Sequence, residues 1–143
     1  MTTIEYSLSE IDSAAKDLIK YAGEDRIWIF QGQMGAGKTT LIRALSKAFN
    51  VEDEISSPTF GIVNEYHSSV VGKIYHFDFY RLDDPDEALD IGIEEYFYSG
   101  NHCWIEWAEK ISPYIPEEFV LIKIEIIAED RRKIHIQKTQ DAY

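Results

Sequence analysis

The sequence predicts an α/β domain built on one mixed β-sheet flanked by helices. Three features carry that expectation. A short apolar run, residues 26–31 (RIWIFQ), leads into a glycine cluster and then into a helical pattern. Two alternating aromatic runs, FGIVNEY and KIYHFDFY, read as a hairpin across the polar HSSVVG. A second pair, VLIKIEII and KIHIQ, reads as another hairpin across AEDRR. With 143 residues and no internal repeat or dividing linker, residues 1–143 are expected to form a single domain.

The elements follow in order. The segment SEIDSAAKDLIKYAG places Ile11, Ala14, Ala15, Leu18, Ile19 and Ala22 on one helical face. Ser9 with Asp12 reads as its capping box and Gly23 as its stop. The run at 26–31 reads as a buried strand, and TLIRALSKAFN returns to helical spacing through Leu41, Ala44, Leu45 and Ala48. SSPTF is turn-like. Asp84-Pro85-Asp86-Glu87 supplies a cap, a proline at the first helical position and an acid, so a helix should follow, weakened or bent at Gly92. CWIEW is a further short apolar strand that ends on a carboxylate.

Composition narrows the function. A hydrophobic fraction of 45%, with Trp 3, Tyr 9 and Phe 7, suffices for one core and argues against disorder. Lys+Arg 14 against Asp+Glu 26 gives a net charge of -12, which repels phosphate backbones. Direct nucleic-acid binding is therefore not expected, and neither is a polybasic membrane anchor. The first residues carry no secretory pattern, and no apolar run approaches the ~18 residues of a membrane span. One cysteine, Cys103, fits a reducing compartment. The expected location is cytoplasmic.

Gly32-Gln33-Met34-Gly35-Ala36-Gly37-Lys38-Thr39 matches the phosphate-loop pattern G-x-x-x-x-G-K-[ST]. Glycines let the backbone wrap a phosphate with its N–H groups turned inward, and the following helix adds its positive end. Gly32, Gly35, Ala36, Gly37 and Lys38 are the expected phosphate cradle. Lys38 reaches for the β- and γ-phosphates and the Thr39 hydroxyl for Mg²⁺. The fold expected from this loop is a P-loop NTPase-like sandwich. No N-K-x-D or D-x-x-G pattern is present, so adenine is favoured over guanine by elimination. Such a site also needs an acid at the end of a neighbouring strand. Asp78, closing IYHFD, and Glu106, closing CWIE, are the two candidates.

The ordered set GQMGAGKTT, SPTF, HFDFYRL and IEW resembles the TsaE (YjeE) family, bacterial ATPases of tRNA threonylcarbamoyladenosine biosynthesis. The resemblance spans roughly residues 5–125. It implies that Lys38, Thr39 and Thr40 bind ATP and Mg²⁺ and that Thr59 lies in a switch-like segment near the γ-phosphate. It also implies that Asp78 is needed for activity, with Glu106 a magnesium-side acid beside Thr39. Tyr80 and Trp107 would be structural or partner-facing neighbours. The implied partners are the TsaD and TsaB proteins, which carry the modification chemistry and are reset or activated by ATP hydrolysis here. Gln33 stands where the family commonly has an acid, and Ile11 where it often has a threonine.

Two other functions fit the loop. A small-molecule kinase would need an acceptor pocket and an arginine-bearing lid, yet the arginines are Arg26, Arg43, Arg81, Arg131 and Arg132, without such a segment. A nucleotide-gated binding module would bind ATP without hydrolysing it. His67, His76, His102 and His135 are scattered and give no zinc spacing. Cys103 reads as core, and the acidic run at 83–96 as a solvated helix face.

Overall fold

A computed structural model describes residues 2–33, 35–53, 55 and 62–139. Seven strands form one sheet: β1 (Thr2–Ser7), β2 (Ile27–Gly32), β3 (Val63–Ser68), β4 (Gly72–Asp78), β5 (His102–Glu106), β6 (Val120–Ala128) and β7 (Arg131–Lys138). Their order across the sheet is β1-β7-β6-β2-β5-β4-β3. The four central strands, β6, β2, β5 and β4, run parallel. Antiparallel β3 closes one side, and the antiparallel pair β7 and β1 closes the other. The mixed sheet expected from the sequence is therefore present, with both predicted hairpins.

Alternation along the strands divides the core between two faces. Trp28 and Phe30 of β2, Trp104 of β5 and Ile122 and Ile124 of β6 point to one face. There they meet α1 (Ile11–Ala22) and α2 (Lys38–Ala48) through Ala14, Ala15, Leu18, Leu41, Ile42 and Leu45. Trp28 stacks on Trp104 with centroids 5.6 Å apart, and Phe49 packs beside both. The opposite face carries Ile29, Phe77, Cys103 and Ile105. It is covered by the short helices α3 (Glu87–Asp90) and α4 (Ile93–Phe97) and by a 3₁₀ segment, Ala108–Tyr114.

Three local readings are corrected. The first residues form an edge strand, β1, that the sequence reading leaves unassigned, although Thr2, Ile4 and Tyr6 alternate and Ile4 lies opposite Ile134. The capping box is made by Ser7 and Glu10, not Ser9 and Asp12. A 3₁₀ turn, Leu8–Glu10, precedes α1, and the Ser7 N–H donates to Glu10 Oε1 at 2.9 Å. The acidic helix is interrupted at Gly92, as expected: Gly92 (φ 76°) adopts the left-handed conformation and divides it into two short helices. The first of them starts later than expected: its first residue is Glu87 and its N-cap Asp86, so Pro85 and Asp84, which accepts from the Asp86 N–H at 2.9 Å, lie in the turn before it. The second β region begins at Val63; Phe60 and Gly61 lie outside the described residues.

Candidate functional site

Strand β2 delivers the chain to the carboxyl edge of the parallel strands, where a crevice forms in open α/β sheets. The glycine loop turns there into α2, whose first residue is Lys38 and whose cap is Gly37. Two glycines are required by geometry. A Cβ on Gly32 would sit 3.1 Å from the Ile124 carbonyl oxygen and 3.3 Å from the Ala36 Cβ. Gly37 has φ 103°, which side-chain-bearing residues rarely adopt. Within the loop the Ala36 N–H donates to the Gln33 carbonyl at 2.9 Å, and Ala36 is buried. Met34 lies outside the described residues.

The loop is tied to the far end of the chain. Arg132 Nε, on β7, donates to the Ala36 carbonyl at 3.0 Å. The same guanidinium uses NH1 on the carbonyls of Ala128, Glu129 and Arg131, which form the β6–β7 turn. A fixed fork of donors thus braces a glycine-rich segment against a hairpin.

Both candidate carboxylates reach the same edge. Asp78 and Glu106 are paired register partners at the ends of the adjacent parallel strands β4 and β5. Glu106 is in turn the partner of Phe30, two residues before Gly32. Period-2 alternation puts Asp78, His76, Glu106, Trp104 and Phe30 on one face, the face that α2 covers. Asp78 is half-buried and its Oδ1 accepts from the Tyr80 N–H at 3.0 Å. Glu106 is 4% exposed. Its Oε2 lies 2.7 Å from Nε2 of fully buried His76, whose Nδ1 lies 3.0 Å from the Tyr66 hydroxyl. A buried carboxylate needs such partners, because burial unpaired would favour the neutral acid. The sequence left His76 among four scattered histidines; the register of β4 on β5 makes it the neighbour of Glu106.

Immediately after Glu106, Trp107 takes φ 59°, an unusual conformation for a bulky residue. Its ring packs against half-exposed Tyr80, centroids 4.9 Å apart, and Lys38 Nζ lies 4.8 Å from its centroid. Phe30, Gln31, Gly32, Lys38, Trp107 and Glu109 line a cavity of about 190 Å³ at this point. Thr39 is half-buried and Thr40 exposed in the first turn of α2. Thr59 lies outside the described residues, as does the rest of SPTF.

The donor chemistry suits a hard cation. Thr39 offers a hydroxyl and Glu106 a carboxylate, both oxygen ligands. Among the described residues no group of three or more His, Cys, Asp or Glu side chains could hold a metal. Mg²⁺ is typically held by one or two protein oxygens together with substrate phosphates. Cys103 is buried, as expected, and burial pushes its thiol up to about 12. No helix among the described residues is long and apolar enough to cross a membrane.

A strand–glycine loop–helix unit at the carboxyl edge of a mixed sheet, with paired strand-end acids, defines the P-loop NTPase-like class. The fold superposes on the crystal structure of Bacillus subtilis YdiB with a TM-score of 0.73 at 27% identity, covering 99% of this chain and 89% of that one. Residues 6–134 match the family model described as threonylcarbamoyl adenosine biosynthesis protein TsaE, and the chain belongs to the TsaE family. It is 40% identical over 124 residues to the tRNA threonylcarbamoyladenosine biosynthesis protein TsaE of Haemophilus influenzae, covering 85% of this chain and 77% of that protein. It is 33% identical over 134 residues to the protein of the same name from Bacillus subtilis, covering 94% and 83%.

Proposed function

We propose that this protein is the ATP-binding and ATP-hydrolysing subunit that supports the TsaD–TsaB complex in N6-threonylcarbamoyladenosine modification of tRNA. Membership of the TsaE family supports the pathway. The observation that carries the enzymatic reading is the register pairing of Asp78 with Glu106, beside the strand that feeds the glycine loop.

In this reading Gly32, Gly35, Ala36 and Gly37 cradle the phosphates with their backbone N–H groups, and the start of α2 adds its dipole. Lys38 leaves the Trp107 ring to neutralise the β- and γ-phosphates. Thr39 and Glu106 would hold Mg²⁺, which polarises the γ-phosphate when bound. Asp78 orients the attacking water or the metal's own waters, and Thr40 completes the first turn of the cradle. Thr59 is assigned to the segment that orders near the γ-phosphate. The acidic surface leaves tRNA phosphates to the partner proteins.

The test is steady-state phosphate release at saturating ATP and Mg²⁺, with and without purified TsaD and TsaB. The expected result is slow turnover alone and faster turnover with the partners. A charge-neutralising group supplied in trans is worth about 10³–10⁵ in rate in related phosphate-loop enzymes. Equal rates, with association between the proteins demonstrated, would leave a gated binding module or a kinase.

A further inference from the structure

Four polar side chains from three strands lie in a row on the face covered by α2. Asn64 and Tyr66 are on β3, His76 is on β4 and Glu106 is on β5. Asn64 is the register partner of His76, and Tyr66 lies one diagonal step away, so the pleat brings all four onto one face. Asn64 Nδ2 donates to the Tyr66 hydroxyl oxygen at 3.5 Å, the weakest link. Tyr66 Oη and His76 Nδ1 are 3.0 Å apart, and His76 Nε2 and Glu106 Oε2 are 2.7 Å apart. Tyr66 is 2% exposed and His76 is fully buried.

The chain has a direction. An ionised carboxylate only accepts, so His76 must carry a proton on Nε2. In the Nε2–H tautomer Nδ1 carries no hydrogen, so across their 3.0 Å contact the Tyr66 hydroxyl is the donor and the ring the acceptor. In that tautomer the tyrosine and imidazole donors both point toward Glu106. One carboxylate oxygen is engaged by the imidazole, which leaves the other for an incoming group. The ring cannot rotate, because both its nitrogens are engaged and it packs against Tyr66 at 5.9 Å between centroids.

We propose that Tyr66 and His76 are positioning residues that fix the rotamer of Glu106, with Tyr66 selecting the Nε2–H tautomer of His76. The consequence for catalysis rests on the reading of Glu106 as the magnesium-side acid. Outer partners of this kind orient a metal-side ligand without touching the metal.

Two sets of measurements separate this proposal from that reading. The first needs no turnover. Long-range ¹H–¹⁵N spectra of the ¹⁵N-histidine-labelled protein, with His76 assigned by its loss in His76→Gln, are expected to display the Nε2–H tautomer. In Tyr66→Phe the same ring should become a mixture of tautomers. An Nδ1–H ring, or a pattern unmoved by Tyr66→Phe, would overturn the proposal whatever the enzyme does. The second is kinetic, in the presence of TsaD and TsaB. Tyr66→Phe is expected to lower kcat and raise the Mg²⁺ concentration for half-maximal rate by about 10–100-fold together, with the KM for ATP nearly unchanged. His76→Gln keeps an N–H donor toward Glu106 and should retain more activity than His76→Leu. Circular dichroism and the protection of Cys103 from thiol reagents establish that each variant is folded. Folded His76→Gln and His76→Leu with equal kinetics would refute the positioning role.

Discussion

Lys38 and Trp107 touch across the mouth of the phosphate loop, with the ammonium 4.8 Å from the centroid of the indole ring. The contact joins the first residue of α2 to the residue after Glu106, so the loop and the acid-bearing strand meet through one cation and one ring. A cation over an aromatic ring is worth about 0.5–1 kcal/mol when exposed, less than one charge-assisted bond to phosphate at about 1.5–3 kcal/mol. In the proposed function the phosphates of a nucleotide would therefore draw the lysine from the ring.

Lys38→Ala is expected to weaken ATP binding by about 1.5–3 kcal/mol, roughly 10–200-fold. Titration calorimetry on the folded variant measures this. Unchanged affinity would remove the phosphate-loop assignment.

Glu106→Gln and Asp78→Asn should each lower turnover far more than nucleotide binding. Both groups are assigned to Mg²⁺ or to the attacking water, where charge develops in the transition state. A loss of about 10²-fold or more in kcat is the expected scale. Wild-type turnover by both variants in the full partner assay would end the two-carboxylate scheme.

His102 makes a different prediction, about stability. Burial, with the charge of Arg26 adding to it, pulls its pKa down from 6.5 to about 4. The folded protein thus keeps the ring neutral where the unfolded chain takes up a proton. Its contribution is fully present above pH 6.5 and is lost as the pH falls toward about 4. Linkage puts the loss from this group at about 2 kcal/mol between pH 7 and pH 5. Asn at this position keeps an acceptor for the Trp104 indole N–H, which lies 3.3 Å from His102 Nδ1. Urea unfolding at both pH values should reveal a shallower decline in His102→Asn than in the wild type. Identical declines would assign the acid sensitivity to other groups.

Cys103 is buried, with its thiol pushed up to about 12, so the native protein should resist thiol reagents. Labelling with a chromogenic disulfide is expected to follow unfolding across a urea series. Rapid reaction in the absence of denaturant would contradict the buried placement.

What was legible in the sequence was local. The strand, the glycine loop and α2 are contiguous, and each is marked by its own residue pattern. Asp78 and Glu106 could be named because each closes an apolar run. Their pairing was not readable, since it depends on the register of β4 against β5, strands 24 residues apart at their nearest ends (Asp78 and His102). The same register places His76 on Glu106 across 30 residues. No spacing rule links those two positions, so a histidine that looked isolated became the acid's nearest partner. Arg132 was equally hidden, 96 residues from the carbonyl it holds. β1 was missed for another reason. Its alternation is visible, but a six-residue edge strand carries a weak signal beside the long helix that follows it.

The position of β2 has a consequence for how the protein is made. Both of its neighbours in the sheet, β5 and β6, come later in the chain, and so does the arginine that braces its loop. Until β5 and β6 have been made, residues 27–32 have no neighbouring strand for their backbone N–H and C=O groups, which water must satisfy instead. In the proposed function the phosphate cradle would therefore gain its flanking strands and its arginine brace only once Val120–Ala128 and Arg132 have been made. A chain ended before residue 120 would hold the complete glycine-loop motif without β6, one of the two strands that flank β2.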